Sequence, residues 1–270
     1  MKLFTMVKDE CDIIKEWIIY HGSIFGFHNI HIIDNYSTDG TYEIMKTFEH
    51  LIHIYQLPDY KKKGQYMTTL IKINCINEIA IPMDIDEFIV LYDKENHSIN
   101  TNKYDILNYF ENIEISKIYK MNYIIAITNQ SENINGTLYG EYNDIGDSAK
   151  VFINTSLFDK TLDHGNHFIC NDYVKTDVCL LHFHNRNVEQ MKKKVKNNIS
   201  GLGFPTDLES LKNIIHNNPN IHGWHHITHQ ISIYENTFSI QDTPFQKDFI
   251  ILKPFTDAIT NLQKDFIVYS

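Results

Sequence analysis

The sequence predicts an α/β fold: a mostly parallel central sheet with helices on both faces, followed by a C-terminal extension of helix and loop. Three observations predict it. Across residues 1–90, short apolar runs alternate with segments of helical periodicity. Polar clusters follow three of those apolar runs, as they do where parallel strands end at one sheet edge. From Asn187 onward the apolar runs give way to helical and loop-like patterning.

The elements follow in order. Lys2 to Val7 reads as a buried first strand. Asp9 or Asp12 is expected to cap the next helix, where Ile13, Ile14, Trp17, Ile18, His21 and Phe25 recur at helical spacing until Gly26 stops it. His28 to Asn35 is a second strand with a polar end. Ser37 to Thr41 is a turn, and Thr41 is expected to cap a helix over Tyr42 to Phe48. Leu51 to Leu57 is the third strand, Gln65 to Ile76 a helix, and Ile79 to Met83 the fourth strand. Pro82 is awkward there, because proline cannot donate to the ladder of a central strand. After Glu87 the rhythm changes. Asn102 to Ile113 is helical, Ser116 to Ile127 a long strand, residues 128–148 a polar loop, and Ala149–Ile153 and Val178–His184 two more strands.

A net charge of −10 argues against a nucleic-acid binder with a broad basic face. The dense basic runs, Lys61-Lys62-Lys63 and Lys192-Lys193-Lys194, read as solvated faces. Cys11, Cys75, Cys170 and Cys179 show no C-x-x-C spacing and read as reduced thiols. The first residues do not read as a secretory leader, and no apolar run reaches the roughly 20 residues of a membrane span. A cytoplasmic protein is the expectation.

Met83-Asp84-Ile85-Asp86-Glu87-Phe88 packs three carboxylates into a few residues, directly after the fourth strand. A solvated turn tolerates such a cluster, and a hard divalent cation requires one. The predicted sheet edge favours the cation. Asp34 to Thr41 is rich in turn-forming residues, and Asp34 could also accept a hydrogen bond from a base or ribose. Among 15 histidines, His182 and His184 end a strand while His164 and His167 fall in a loop. His225, His226 and His229 lack the glutamate of a zinc-protease motif and read as solvated or core residues.

Taken together, these motifs resemble the GT-A glycosyltransferases of families 2 and 92. The resemblance rests on Lys8-Asp9-Glu10, Glu16-Trp17, Tyr20-His21, Asp34-Asn35-Tyr36-Ser37-Thr38-Asp39-Gly40-Thr41 and Asp84-Ile85-Asp86-Glu87-Phe88, in that order. It covers residues 1–90 well, is looser to about residue 200, and is similar to small glycosyltransferase domains of large DNA viruses, which would place the protein in a host cytoplasm or a virion. It implies a GT-A-like, Rossmann-like domain over 1–200, with a nucleotide-binding half (1–90) and an acceptor half (91–200). Residues 201–270 would be an extension packed on the same domain. It implies transfer of a sugar from a nucleotide sugar, usually UDP-linked, to a hydroxyl of a glycan or other acceptor, with inversion. The implied nucleotide contacts are Thr5, Val7, Lys8, Glu10, Asp34, Asn35, Gln65, Asp84 and Lys150. The implied metal ligands are Asp84, Asp86 and His182, holding Mn²⁺ or Mg²⁺, with His164 or His167 next in line. Candidates for the base that takes the acceptor's proton are Asp163, Asp147 and Asp144. The family's K-N-E is Lys8-Asp9-Glu10 here, which adds a negative charge. Two other readings compete: a sugar-phosphate nucleotidyltransferase, and a non-catalytic carbohydrate-binding module of the same fold.

Overall fold

A computed structural model describes residues 1–127, 139–143, 150–163, 165–167, 172–184, 186–221, 223–238 and 249–269. The first four strands are β1 (Lys2–Val7), β2 (Ile30–Asp34), β3 (His53–Gln56) and β4 (Ile79–Pro82). They pair in parallel in the order β3-β2-β1-β4. Helices α1 (Ile14–Phe25), α2 (Thr41–Lys46) and α3 (Lys63–Asn74) connect them. Because side chains alternate along a strand, Leu3 and Val7 join the core cluster beneath α1 and α2, while Phe4 and Met6 join the cluster beneath α3. Helices therefore cover both faces, and all four parallel strands end at one edge.

The sheet continues through strands of mixed direction. These are β5 (Glu87–Asp93), β6 (Ser98–Asn100), β7 (Ile118–Ile127), β8 (Tyr139–Asn143), β9 (Val151–Asn154), β10 (Val174–His182) and β11 (Phe249–Ile251). The order runs on as β4-β9-β7-β10-β5-β6, with β8 bridging β7 and β11. Three of these depart from the sequence reading. The apolar run after Glu87 is a strand, part of the expected 128–148 loop is β8, and β11 lies in the extension. The other helices are α4 (Lys103–Glu111), α5 (Val188–Leu202), α6 (Leu208–Asn217), α7 (Trp224–Tyr234) and α8 (Lys253–Tyr269). The expected boundary at residue 200 falls inside α5. Helices α5, α6 and α7 share a small apolar cluster of Ile199, Leu211 and Ile227, whereas Phe255 of α8 is buried in the main core against Tyr20 and Phe88. Among the described residues no helix is long and apolar enough to cross a membrane.

Pro82 fits because the pairing of β4 with β9 stops before it. β4 pairs with β9 through Ile79 and Ala80 only, and on the other side of β4 the Met83 amide donates to the Phe4 carbonyl at 3.0 Å. Amides alternate sides along a strand, so the donor that proline lacks would face the β9 side, beyond the last paired residue. The expected helix caps do not form. Helix α1 starts at Ile13 without a side-chain cap, and α2 is capped by Gly40 at φ 97°.

The face of α1 grips the start of β5. This end of β5 pairs with β10 on one side, and its pairing with β6 begins only at Leu91. Trp17 Nε1 donates to the Glu87 carbonyl at 2.9 Å and Tyr20 Oη to the Ile89 carbonyl at 2.7 Å. The Ile89 amide donates to His21 Nε2 at 3.3 Å. Three side chains on successive turns thus satisfy an edge that no strand covers, and they fix the chain where the acidic turn enters β5.

Two buried histidines set a pH dependence. Burial pushes His21 down to about 3, and His31 down to about 4 with smaller contributions from His53 and Lys2. Unfolded, both protonate near 6.5. A depressed folded value gives stability that is full above the unfolded value and lost as pH falls toward the folded one. Denaturant titrations are expected to show a loss of about 3 kcal/mol between about pH 7.5 and 5.5. A flat stability profile over that window would refute it.

Candidate functional site: an acidic turn at the sheet-edge cleft

The stretch Met83 to Phe88 closes as a turn. The Glu87 amide donates to the Asp84 carbonyl at 3.2 Å, and the Asp84 amide donates to Glu87 Oε2 at 2.7 Å. The turn divides the three carboxylates into two sets: Asp84 and Glu87 share the Lys150 ammonium, while Asp86 meets a different set of partners. Asp84 Oδ1 accepts from Lys63 Nζ at 2.8 Å and Asn166 Nδ2 at 2.9 Å, and Oδ2 from Lys150 Nζ at 2.5 Å. Glu87, fully buried, accepts from Lys150 Nζ at 2.5 Å and Tyr123 Oη at 3.0 Å. Burial opposes the charge on Asp84, but Lys150 and Lys63 outweigh it and hold the carboxyl below its usual range. Both Asp84 oxygens are engaged within the protein, and among the described residues Asp84 stands outside the group of Asp86, His182 and His184 that could hold a metal ion. Lys150 is likewise engaged within the protein: it is buried and locks the turn instead of lining the cleft.

Asp86 faces a different set. Its backbone carbonyl accepts from the Phe183 amide at 2.8 Å, which brings the end of β10 alongside the turn. Oδ2 accepts from Lys194 Nζ at 2.6 Å, with Arg186 Nη1 at 3.9 Å. Oδ1 turns toward His182 Nε2 at 3.5 Å. Asp86, His182 and His184 each offer a ligand atom, all within 4.8 Å of one another. Burial opposes ionisation of Asp86, but Lys194, His182 and Arg186 outweigh it and hold the carboxyl well below its usual range. The Lys194 ammonium, ahead of desolvation, holds His184 well below the histidine range, so its ring is neutral. A carboxylate oxygen and imidazole nitrogens suit a divalent first-row ion. The donor set therefore fits the implied cation, with His184 replacing Asp84 in the ligand group.

These groups open on a cleft of about 970 Å³ at the sheet edge. Of the residues expected as nucleotide contacts, Lys8, Glu10, Asn35 and Asp84 line it. Thr5 and Val7 do not, being buried in β1, and Asp34 is fully buried, spent on the Ser37 amide at 3.1 Å and Gln56 Nε2 at 3.1 Å. Gln65 points outward from α3, and Lys63 lines the cleft in its place. Tyr36, at φ 54° and 51% exposed, presents its ring at the mouth. Asp163 and His167 line the cleft, paired at 3.0 Å. His164, Asp144 and Asp147 lie outside the described residues. Cys11, near the site, is no thiolate: burial and the Asp39 carboxylate push it up to about 11.

The largest surprise is α5. The Lys192-Lys193-Lys194 run is not simply a solvated face. Gln190 Nε2 reaches Glu10 Oε2 at 2.9 Å, Lys193 pairs with Asp39, Lys194 with Asp86, and Asn197 Nδ2 donates to Asp9 Oδ2 at 3.0 Å. These residues follow helical spacing, so one polar stripe meets Asp9, Glu10, Asp39 and Asp86, acidic residues that follow β1, β2 and β4. That stripe was legible as periodicity, but its partners were not. Arg186, buried, pairs with Glu10 and with Asp12 at 2.7 Å. Burial dominates the raised pKa of Glu10, so the Arg186 contact offsets an unfavourable position.

The chain is an α/β protein with a cleft at the ends of its parallel strands. It is similar to S. aureus TarS 1–349 in complex with UDP, at 12% identity over 88% of this chain and 73% of that one, with a TM-score of 0.45. It is similar to HddC from Yersinia pseudotuberculosis, at 9% identity over 72% and 97%, TM-score 0.37, and to an active-site mutant of LgtC, at 8% over 98% and 96%, TM-score 0.32. At these values the likeness decides neither family nor activity. No family model and no curated protein matches the chain.

Proposed function

We propose that this chain is a glycosyltransferase that uses a nucleotide sugar and a divalent cation, moving the sugar to a hydroxyl with inversion. The observation that carries this reading is the Asp86, His182 and His184 group, opening on a large cleft at the ends of parallel strands. Asp86 Oδ1, His182 and His184 would hold the ion, and a cation there supplies charge that offsets a departing diphosphate. Lys194 and Lys8, both lining the cleft, add positive charge beside it. Residues 1–90 would hold the donor: Tyr36 offers an aromatic face to a base, and Asn35 and Glu10 offer polar groups at the strand ends. The acceptor would enter from the side of His225 and His226 on α7, which also line the cleft. The competing nucleotidyltransferase reading finds no support after β1, where Lys8 to Cys11 contains no glycine and Asp9 is engaged by the Thr38 amide at 2.6 Å.

The test is incubation with UDP-, GDP- and CMP-linked sugars in the presence of Mn²⁺, with released nucleotide as the readout. Release from at least one donor, dependent on the cation, is expected. No release and no nucleotide binding by calorimetry with any donor would sink the proposal.

A further inference from the structure

Leu162, Asp163 and Gly165 to His167 gather around one imidazole. The His167 amide donates to Asp163 Oδ1 at 2.7 Å, and His167 Nδ1 lies 3.0 Å from Asp163 Oδ2. The Asp163 amide donates to the His167 carbonyl at 3.1 Å, which closes the turn. Burial raises the Asp163 carboxyl, but the hydrogen bonds from His167 outweigh it and leave it ionised. A carboxylate only accepts, so Nδ1 carries a proton, and in the neutral form of the ring Nε2 is the nitrogen with a free lone pair. The turn is anchored on both sides. The Leu162 amide donates to Thr68 Oγ1 on α3 at 3.0 Å, and Leu162 is buried in the core under that helix. Asn166, fully buried at φ 63°, donates to Asp84 Oδ1 at 2.9 Å, while its Oδ1 is buried without a partner.

Two glycines are needed for this arrangement. A Cβ at Gly165 would lie 2.4 Å from the His167 ring, and one at Gly64 would lie 2.2 Å from the Leu162 carbonyl oxygen. The imidazole therefore lies flat over Gly165, and the turn lies against α3 with no room between. Asn166 takes a left-handed conformation that asparagine tolerates in turns. Here it ties a histidine–carboxylate pair to the acidic turn that closes the donor side.

We infer that His167 is the general base of the transfer reaction and that Asp163 is its positioning residue. This rests on the glycosyltransferase reading above. It also revises the sequence expectation, in which Asp163 itself took the proton: both of its oxygens are engaged by His167. In the step, a lone pair of the acceptor oxygen forms the new bond to the sugar's anomeric carbon. The bond from that carbon to the diphosphate oxygen breaks, and its electron pair leaves with the nucleoside diphosphate. The hydroxyl proton passes to His167 Nε2. Asp163 stabilises the resulting imidazolium, which returns the proton to solvent. Water entering in place of the acceptor is activated in the same way, so donor hydrolysis reports on the same base.

The test uses the full chain, UDP as binding probe, and hydrolysis of whichever UDP-sugar the wild type turns over. His167→Ala is expected to bind UDP with affinity within about twofold of wild type and to lose about 100-fold or more in turnover. Added imidazole is expected to restore part of that loss in His167→Ala and none in Asp86→Ala. Asp163→Asn, which removes the acceptor that fixes the tautomer, is expected to lower kcat with KM nearly unchanged. Full activity in His167→Ala, or a loss that imidazole does not restore while UDP still binds, overturns the assignment and leaves the transferase reading intact. A wild type that binds no UDP and turns over no donor overturns both.

Discussion

Lys150→Met is expected to cost the fold about 3–5 kcal/mol, the usual range for breaking a buried ion pair from one side. Lys150 is 1% exposed and bridges Asp84 and Glu87, each at 2.5 Å. The attraction of those two carboxylates outweighs burial and raises its pKa well above the ordinary lysine range, so the ammonium is charged at any working pH. Methionine fills similar volume and leaves Glu87 with no cation at all. The control is Lys150→Met combined with Glu87→Gln, which removes one charge of each sign. The double variant is expected to recover a large part of the loss, because the penalty is for an unpaired buried charge and not for lost volume. Chemical denaturation of the wild type, both single variants and the double variant measures this. Equal stability of wild type and Lys150→Met would show that the ammonium does not hold the turn.

Asp86→Ala is expected to abolish Mn²⁺ binding and to lower donor turnover by about 100-fold or more. Its effect on stability is expected to be smaller than that of Lys150→Met. Arg186 keeps Glu10 and Asp12 as partners, and Lys194 is partly exposed. His182→Ala and His184→Ala are each expected to weaken Mn²⁺ binding, because both rings contribute to the ligand group. Asp84→Asn is expected to retain most of that binding, since its oxygens serve Lys63, Lys150 and Asn166. Calorimetric titration of Mn²⁺ into the four variants separates the two aspartates. Loss of Mn²⁺ binding in Asp84→Asn with retention in Asp86→Ala would reverse their assigned roles.

The sequence carried the parallel half of the fold because its signals are local. Apolar runs of strand length, helical spacing in Ile13 to Phe25, and acidic residues just past the strands all act within a few neighbours. β5 was missed because Phe88 to Tyr92 is a continuous apolar run, which periodicity cannot assign to a strand or to a buried helix. β8 was missed because Tyr139 to Asn143 carries little apolar patterning, and its pairing with β7 and β11 supplies what its own residues lack.

For the site, the sequence by itself determined that Asp84, Asp86 and Glu87 would stand together at the end of the fourth strand. That follows from spacing along one chain. Only the tertiary structure decided what each of them does. Donors and cations from distant segments select among them: Lys63 and Lys150 take Asp84, Lys150 and the Tyr123 hydroxyl take Glu87, and Lys194, Arg186 and His182 take Asp86. Coulomb attraction in a buried setting depends on distance through space and on the loss of water, and neither can be read from distance along the chain. For the same reason, two lysine runs that looked like solvent-facing charge each place one ammonium against a carboxylate of the acidic turn.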